Sequence, residues 1–501
     1  RVTQGDNPLF LAIDAGGTAV KLALFDAQGG IEASALAEVA TEYHPNGWVE
    51  RDGLAFWAAI ARAIRSLVDT GRAARLVAVG CTGFGNGLFL TDAEGGPTRP
   101  GIVSVDHRAD PLVQALVAAG EADRLAAICG ARLWGGQTMM QLAALAMNEP
   151  QVMARSHWAL SCKDYLRMRL TGEAASDPTD VSGGGLVRAD GGGYAHDLLA
   201  ELGHPELARL LPPIRPSGGI AGKVSARASA ETGLPAGLPV AGGMMDVAAC
   251  ALAAGAIGGD YLVMIAGTWA INALETSVPP VGEWPILNMV HRDGAARLVA
   301  EGSPCSAANL GWFLSQGLGG RVGIEEAMEL AAACPGKGPR CHFLPFVHGP
   351  APRRGSFTAL GSGDNLGSMI RAVCEGVALQ QRRHGDEILP HAGPAPPAII
   401  RLTGGAARSA VLAQIFADVC GMPVETVAAP EVGALGAAIC AAVAGGIYPD
   451  FASASRAMCA IHGRFDPDPG LRRFYDERYQ EFLRLDRGML GLAQPNGGAG
   501  G

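Results

Sequence analysis

The feature that most constrains the fold is an apolar segment that ends in a carboxylate and a glycine turn and then continues as a second apolar segment. The first run covers Phe10 to Ile13, Asp14 and two glycines follow it, and Lys21 opens the returning run. This order predicts a strand, a tight turn and an antiparallel strand. Glycines leave the backbone N–H groups of such a turn open to a phosphate, and Asp14 could hold Mg²⁺ or its waters beside it. Taken alone, however, the stretch favours an ordinary hairpin.

A similar pattern returns in the second half of the chain. The apolar run Tyr261 to Ala266 is followed by Gly267 and Thr268, and a returning strand is predicted from Trp269 to Leu274. Just upstream, Asp246 stands between a short apolar run and a helix of small residues. Two glycine–threonine hairpins in one chain indicate a duplicated phosphate-binding unit, with one copy in each of two lobes.

Length and charge limit the classes of protein to which this chain can belong. Its 501 residues exceed what one hydrophobic core usually supports, so two large domains are expected. Lys and Arg number 39 against 48 Asp and Glu, a net charge of −9. This balance argues against a nucleic-acid partner and against binding to an anionic membrane. An anionic nucleotide would have to be held by local donors and a cation.

The cysteines and the chain ends indicate the compartment. Eleven cysteines are scattered without a C-x-x-C pair, which predicts reduced thiols and a bacterial-type cytoplasm. No apolar run reaches membrane length and no leader pattern is present, so no membrane association is expected. Residues 1–8 are expected to be a ragged start and residues 491–501 a disordered tail.

Several further motifs accompany the two hairpins. They are Gly47-Trp48-Val49-Glu50-Arg51-Asp52, Lys163-Asp164-Tyr165, Asp177-Pro178-Thr179-Asp180 and Thr403-Gly404-Gly405. In this order the motifs resemble those of the FGGY family of carbohydrate kinases, and the likeness runs from about Leu9 to about Tyr448.

The resemblance implies an α/β fold with two lobes, of the actin, hexokinase and Hsp70 ATPase type, in which ribonuclease H-like domains are duplicated around an interdomain cleft. It implies an N-terminal domain over 9–254 that binds the sugar and carries the first phosphate loop, and a C-terminal, nucleotide-binding domain over 261–448. The small residues 255–260 predict a hinge between them. A helical extension is expected over 449–490. A helix of small residues beginning near Val432 is expected to pack closely under the second lobe.

The resemblance also implies the reaction, an ATP-dependent transfer of the γ-phosphate to a sugar hydroxyl with Mg²⁺ in the cleft. Phosphoryl transfer needs the phosphate held in line, its charge neutralised and the acceptor hydroxyl relieved of its proton. Asp246 is implied as the general base for that proton. The alternative is that Asp246 only caps the helix that starts at Val247.

Site residues are carried over from the resemblance position by position. Asp14 and Asp246 are expected to bind the metal. Arg108 is slightly favoured as a structural partner of Asp106 rather than a sugar ligand, and Trp134 is favoured as a core residue. The expected sugar-binding set is Asn86, Asp106, Arg108, Trp134 and Asp246. The expected ATP-binding set is Gly16, Gly17, Thr18, Lys21, Gly267, Thr268, Gly311, Gly404, Gly405 and Ser409. Ser409 stands where the family often has Asn against the adenine.

The acceptor is harder to predict than the reaction. Segments such as Gly267 to Ala270 and Asn309 to Phe313 are most similar to the branch of the family that phosphorylates L-xylulose. A ketopentose or a related keto-sugar acid is therefore the first expectation for the small-molecule substrate. Glycerol, D-xylulose, ribulose and erythritol remain alternatives, and a homodimer is the common default for the assembly.

Two other classes share the expected fold. One is an ATP-driven chaperone or filament protein, which would need an interaction domain that the sequence lacks. The other is a catalytically silent sensor of sugar or nucleotide, against which the presence of Asp14, Thr18, Asp246 and Thr268 argues. A Walker P-loop, a zinc motif and a nucleophile elbow have no match in the sequence.

Overall fold

The computed structural model divides into two compact units, each built from several stretches of the chain. The first unit comprises Arg1–Ile257, Glu275–Val299 and Glu431–Cys459, and the second comprises Gly258–Leu274, Ala300–Pro430 and Ala460–Gly501. The hinge at 255–260 and the predicted domain limits at 254 and 261 stay predictions. The structure describes residues 7–17, 19–68, 70–190, 193–267, 269–280, 282–294, 296–334, 337, 341–348, 353–427 and 429–493.

The described strands and helices occur in short runs along the chain. The strands are β1 Leu9–Ala15, β2 Ala19–Phe25, β3 Ile31–Glu38, β4 Glu42–Tyr43, β5 Val49–Arg51, β6 Leu76–Gly83, β7 Phe89–Thr91, β8 Gly101–Ile102, β9 Trp158–Leu160, β10 Ile220–Lys223, β11 Pro239–Ala241, β12 Met244–Met245, β13 Tyr261–Ala266, β14 Ala270–Thr276, β15 Leu287–His291, β16 Ala296–Ser303, β17 His342–Leu344, β18 Ser356–Thr358, β19 Ile399–Thr403, β20 Val424–Val427 and β21 Ile461–Phe465. The helices are α1 Gly53–Leu67, α2 Thr70–Arg75, α3 Asp110–Ala118, α4 Ala122–Cys129, α5 Thr138–Asn148, α6 Pro150–Arg155, α7 Cys162–Thr171, α8 Pro178–Gly183, α9 His196–Glu201, α10 Ala226–Thr232, α11 Asp246–Ala253, α12 Ala308–Trp312, α13 Ile324–Ala332, α14 Leu366–Ile388, α15 Ala410–Cys420, α16 Val432–Ala444, α17 Phe451–Met458 and α18 Arg472–Ala493.

The first unit is built on a sheet in which β1 occupies the centre. The strand order is β10-β11-β6-β1-β2-β3, and β12 pairs with the end of β6. Because β1 is apolar on both faces, it is buried on both, whereas β3 alternates between exposed and half-buried residues up to Leu36. The predicted hairpin is confirmed: β1 and β2 pair antiparallel, with Asp14 opposite Lys21. On its other side β1 runs parallel to β6, with Asp14 opposite Thr82.

The motif that follows the sheet's first three strands starts a helix. Asp52 is the N-cap of α1, and its side chain accepts a hydrogen bond from the N–H of Ala55. The apolar face of α1, including Phe56 and Ile60, packs into the same core as Ile13 of β1. The sequence therefore sets both the start of this helix and the face that it buries.

The helix of small residues, α16, belongs to the first unit, which corrects the prediction that it lies under the second lobe. It packs against α11, β6 and β1. A Cβ at Gly80 would overlap the carbonyl of Ala437, and one at Gly436 would overlap the carbonyl of Ala249. Glycine at these two places allows backbone-to-backbone contact that any side chain would prevent.

The second unit has a sheet with similar central pairings. Its strands β14, β13, β19, β20 and β21 follow one another in that order. β13 pairs antiparallel with β14 and parallel with β19. The long helix α14 is capped by Asn365, whose side chain and that of Ser368 bond to each other's backbone N–H groups.

Other expectations concern the chain ends, the cysteines and the membrane. Helix α18 reaches Ala493, so the first three residues of the predicted disordered tail are helical, and residues 1–6 and 494–501 lie outside the described part. All eleven cysteines are free. Among the helices that the structure describes, none combines the length and apolar character needed to span a bilayer.

Candidate functional site

Two carboxylates of the first unit lie on strands that flank β6. Asp14 is the last residue but one of β1, and Asp246 is the first residue of α11, directly after β12. Both strands pair with the same residue of β6, since Thr82 is opposite Asp14 on one side and opposite Met244 on the other. The Thr82 hydroxyl also donates to the carbonyl of Met244, at 2.8 Å. The sheet thus brings together two side chains that are 232 positions apart in the sequence.

Each carboxyl group has a raised pKa. Burial raises the pKa of Asp14 to about 6, against the lowering effect of Lys21 and with a further rise from Glu431. Burial also raises the pKa of Asp246 to about 7, and the negative charge of Asp14 is the next largest cause. Two neighbouring acids with raised pKa values in one place are a common property of functional sites.

The backbone around Asp246 holds its carboxylate without using it as a helix cap. Its Oδ1 accepts the N–H of Val247 at 2.8 Å, and the N–H of Gly85 also donates to it. The N-cap position of α11 is taken by Met245, which makes no capping bond through its side chain. The alternative in which Asp246 only caps the helix is therefore not the arrangement observed.

A buried ion cluster of Lys163, Asp164, Asp177 and Asp180, which was not predicted from the sequence, supports the segment that carries Asp246. The ammonium of Lys163 lies 2.5 Å from Asp164, 2.7 Å from Asp177 and 2.9 Å from Asp180. By spacing, these three carboxylates could hold a metal ion, but the ammonium already bridges them. Burial tends to lower the pKa of Lys163, yet the three carboxylates more than offset this and raise it.

The same cluster fixes both ends of the stretch from Gly242 to Asp246. Arg167, which pairs with Asp164 at 3.0 Å, donates to the carbonyl of Gly242 at 2.5 Å. Thr179 accepts the N–H of Met245 at 2.8 Å. The motifs at 163–165 and 177–180 were the sequence signal for this arrangement. The first contains Asp164, the partner of Arg167, and the second contains Thr179.

Gly17 and Lys21 connect the first glycine turn and its returning strand to other parts of the first unit. The carbonyl of Gly17 accepts a hydrogen bond from Arg51 at 2.6 Å. Lys21 makes an ion pair of 2.8 Å with Glu431, and 48% of its side chain stays exposed. Gly16 is half-buried and Gly17 is exposed. Thr18 lies outside the described residues, so its predicted contact with phosphate stays a prediction.

Among the predicted sugar ligands, Asn86 lies next to Asp246. It directly follows Gly85, whose N–H bonds Asp246, and it has a left-handed backbone with φ of 60°. Its side-chain oxygen accepts the N–H of Thr138 at 3.4 Å, which connects it to the start of α5. Trp134 precedes that helix, is partly exposed and has an indole N–H without a partner.

Asp106 and Arg108 instead form a structural ion pair, which corrects the prediction that Asp106 binds the sugar. The Asp106 carboxylate accepts from the N–H of Val49 at 2.6 Å and from the backbone and guanidinium of Arg108 at 2.8–2.9 Å. Arg108 also pairs with Glu50 at 2.7 Å. Both side chains are almost fully buried, so the preference for Arg108 as a structural residue agrees with its contacts.

The nucleotide residues expected from the second unit are only partly brought together. Gly404 has φ of 84°, and a Cβ there would lie 2.7 Å from the carbonyl oxygen of Ala266 and 3.1 Å from the nitrogen of Gly267. Gly405 opens a short turn of helix after it. Ser409 is the N-cap of α15 and accepts the N–H of Leu412 at 3.3 Å. Gly311 is exposed on α12, and Thr268 lies outside the described residues.

Comparison with known proteins identifies relatives over nearly the whole chain. Models of the N-terminal and C-terminal domains of the FGGY family of carbohydrate kinases match residues 9–253 and 262–445. An L-xylulose/3-keto-L-gulonate kinase of Escherichia coli is 30% identical over 96% of this chain and 97% of its own length. An erythritol kinase of Brucella abortus is 30% identical over 89% of both chains. The crystal structure of a xylulose kinase from Rhodospirillum rubrum superimposes with a TM-score of 0.84 at 28% identity, covering 97% of this chain and all of the other.

Proposed function

The chain belongs to the FGGY family of carbohydrate kinases, and we propose that Asp246 is the base that removes the proton from the sugar hydroxyl. The enzyme transfers a phosphoryl group from ATP to an alcohol group of a small-molecule sugar. What remains to be assigned is which residues carry the reaction and which sugar accepts the phosphate.

The observation that carries this assignment is the placement of Asp246 across β6 from Asp14, where burial and the charge of Asp14 raise the pKa of Asp246 to about 7. A general base is most effective when its pKa lies near the working pH, since it is then both deprotonated and basic enough. The N–H groups of Gly85 and Val247 orient the carboxylate. Asp246 would take the proton on a carboxylate oxygen as the hydroxyl attacks.

Asp14 and Asp246 are also the residues that would hold Mg²⁺. The fit is chemical: the negative charge of Asp14 raises the pKa of Asp246, and two neighbouring carboxylates offer the oxygen ligands that a hard divalent cation prefers. When bound there, the ion supplies positive charge that neutralises the phosphates. Asp14 keeps its place through its strand pairings with Lys21 and Thr82.

The glycine turns are proposed to bind ATP through their backbone. In the first unit, half-buried Gly16 and exposed Gly17 offer N–H groups, and the half-exposed side chain of Lys21 offers a charge. Thr18 is proposed to bind phosphate with them. In the second unit, the proposed residues are Gly267, Thr268, Gly311, Gly404, Gly405 and Ser409. The start of the eleven-residue helix α15 has the positive partial charge that suits a nucleotide.

The sugar is proposed to contact Asn86 and Trp134 beside Asp246. Both offer polar atoms that their own surroundings use little: the Asn86 amide has one long bond and the Trp134 indole N–H has none. Asp106 and Arg108 are left out, because they pair with each other and Arg108 also pairs with Glu50. We favour a ketopentose such as L-xylulose, or a related keto-sugar acid, as the acceptor, in keeping with the name of the Escherichia coli relative.

An ADP-release screen with ATP and magnesium fixed tests this substrate proposal. The panel would contain L-xylulose, D-xylulose, ribulose, erythritol, glycerol and a keto-sugar acid. We expect the highest kcat/KM for L-xylulose and no release without a sugar. A polyol that exceeds every ketose would reassign the substrate, and the absence of ADP release with every sugar would support the silent sensor instead.

A further inference from the structure

Arg51 is a buried cation directly behind the first glycine turn. It ends β5, and only 1% of its surface is exposed. Its Nη2 donates to the carbonyl of Gly17 at 2.6 Å and to the hydroxyl of Thr41 at 2.8 Å. Its Nε and Nη1 have no hydrogen-bond partner within the part of the chain that the structure describes. Among the described residues, no carboxylate oxygen lies within 4.0 Å of its guanidinium.

The other two buried arginines of the described first unit are charge-compensated. Arg108 pairs with Asp106 at 2.8 Å, and Arg167 pairs with Asp164 at 3.0 Å. Arg51 instead lies against aromatic rings, 4.9 Å from the centre of Phe56 and 5.5 Å from that of Phe84. Two cation–π contacts offset only part of the free energy that is lost when a charge is removed from water.

The position of Arg51 relates this uncompensated charge to the nucleotide. Its bond to Gly17 ends in the turn that we propose to bind the phosphates, and Gly17 itself is exposed. Phe84 follows β6, and its N–H donates to the carbonyl of Ala15, just before the turn. A charge buried in a medium of low dielectric acts over several ångströms, so an anion in the turn would be attracted to it through one layer of backbone.

We propose that Arg51 is a positioning residue for the phosphates of ATP. It fixes the carbonyl of Gly17 and so the shape of the turn, and the triphosphate supplies the negative charge that Arg51 lacks in the free protein. Nucleotide binding and the buried charge are thereby coupled, each favouring the other. This inference rests on the proposed placement of phosphate at Gly16 and Gly17.

The alternative is that Arg51 only connects β5 to the turn. The two roles predict opposite signs for Arg51→Met, which keeps the length of the side chain and removes the charge. A connecting role predicts a lower unfolding temperature and unchanged nucleotide affinity. A positioning role predicts that the free protein unfolds at the same or a higher temperature, because an apolar side chain replaces an uncompensated charge.

The experiment measures, for the full chain, the unfolding temperature without ligand and the Kd for a magnesium-bound, non-hydrolysable ATP analogue. For Arg51→Met we expect an unfolding temperature no lower than the wild type's and a Kd that rises about 10-fold, within the range of ordinary couplings. Arg51→Lys keeps the charge and should recover part of the affinity. It also keeps the test available if the methionine variant does not fold.

Two further variants distinguish a wrong phosphate placement from a wrong role for Arg51. Arg108→Met is the matched control: it leaves Asp106 buried without its partner, so it should lower the unfolding temperature and leave the Kd within twofold. Gly17→Val tests the turn itself. If Gly17→Val leaves the Kd unchanged, the proposed phosphate placement is wrong. If it weakens binding while Arg51→Met does not, only the inference about Arg51 is overturned.

Discussion

The two glycine hairpins have the same pattern of strand pairing but differ in the charge of the residues before the turn. In each unit the first strand of the hairpin pairs antiparallel with its partner and parallel with a strand that comes much later in the chain. One pair before the turn, Asp14 lies opposite Lys21 in the first hairpin, whereas Ile265 lies opposite Ile271 in the second. The backbone arrangement is duplicated and the charges are not.

This difference indicates how the work is divided between the units. The first hairpin lies beside Asp246 and Arg51, so the proposed base and a buried positive charge are both found there. Among the described residues of the second turn, the carbonyl of Ala266 and the nitrogen of Gly267 lie close to Gly404. We therefore expect substitutions around the first hairpin to reduce turnover most, and substitutions around the second to reduce stability as well as nucleotide binding.

The largest expected effect comes from Asp246→Asn, which would break the comparison if it proved harmless. Asparagine keeps the shape of the side chain and can still accept the N–H of Val247, but it cannot take up a proton. Loss of a positioned base costs about 10²–10⁴ in rate. We expect kcat for sugar-dependent ADP release to fall by that factor while the protein stays folded.

Asp123→Asn is the control for that experiment, because Asp123 is exposed on α4 and changes charge in the same way. Its turnover should equal that of the wild type. Turnover of Asp246→Asn within a few-fold of normal would remove Asp246 as the base and with it the asymmetry between the units.

The next effect concerns the glycines of the two turns. Gly404 adopts φ of 84°, and a Cβ there would lie 2.7 Å from the carbonyl oxygen of Ala266. Gly17 has no atom within 4 Å of the place that its Cβ would occupy. Gly404→Ala should lower the free energy of unfolding by roughly 2–4 kcal/mol, from left-handed strain and overpacking together. Gly17→Ala should change it by less than about 1 kcal/mol.

Chemical unfolding of both variants in the absence of ligand checks this prediction. The wild type and the two alanine variants form a matched set, since each change adds one methyl group to a glycine turn. Equal losses of stability in both variants would mean that the second turn is no more tightly packed than the first.

The sequence predicted the fold well because its signals are local. Apolar runs that end at a glycine turn define β1 and β13, the apolar run after the first turn defines β2, and Asp52 marks the start of α1. The unit that holds α16 was predicted wrongly. Small residues show that a helix can pack closely, but the partner they touch, here Gly80 and its strand, depends on the tertiary fold.

The candidate site shows the same limit. The position of Asp14 near the end of one strand and of Asp246 directly after another follows from the motifs, whereas their raised pKa values depend on burial that no local pattern reveals. Asp106 and Arg108, two positions apart, were weighed between a sugar site and an ion pair. Their partners Val49 and Glu50 come from a distant strand, so only the folded chain decides the question.

The smallest effect is a pH dependence of stability that belongs to the first hairpin alone. The carboxyl of Asp246 has a pKa of about 7 in the native state and an ordinary one near 4 when unfolded. Between these values the native protein keeps a proton that the unfolded chain has lost, so the stability that this group contributes is lost as pH rises through 7.

The Asp246→Asn variant lacks this loss of stability. The difference in free energy of unfolding between this variant and the wild type, measured in EDTA, should therefore increase in favour of the variant by about 1–2 kcal/mol between pH 5 and pH 8. This figure is reduced for partial exposure. Ile265→Val, the matched change in the second hairpin, should cost about 1 kcal/mol at both pH values. If this difference in free energy of unfolding stays constant or narrows over this range, the surroundings of Asp246 do not raise its pKa. The two hairpins would then differ in sequence but not in electrostatics.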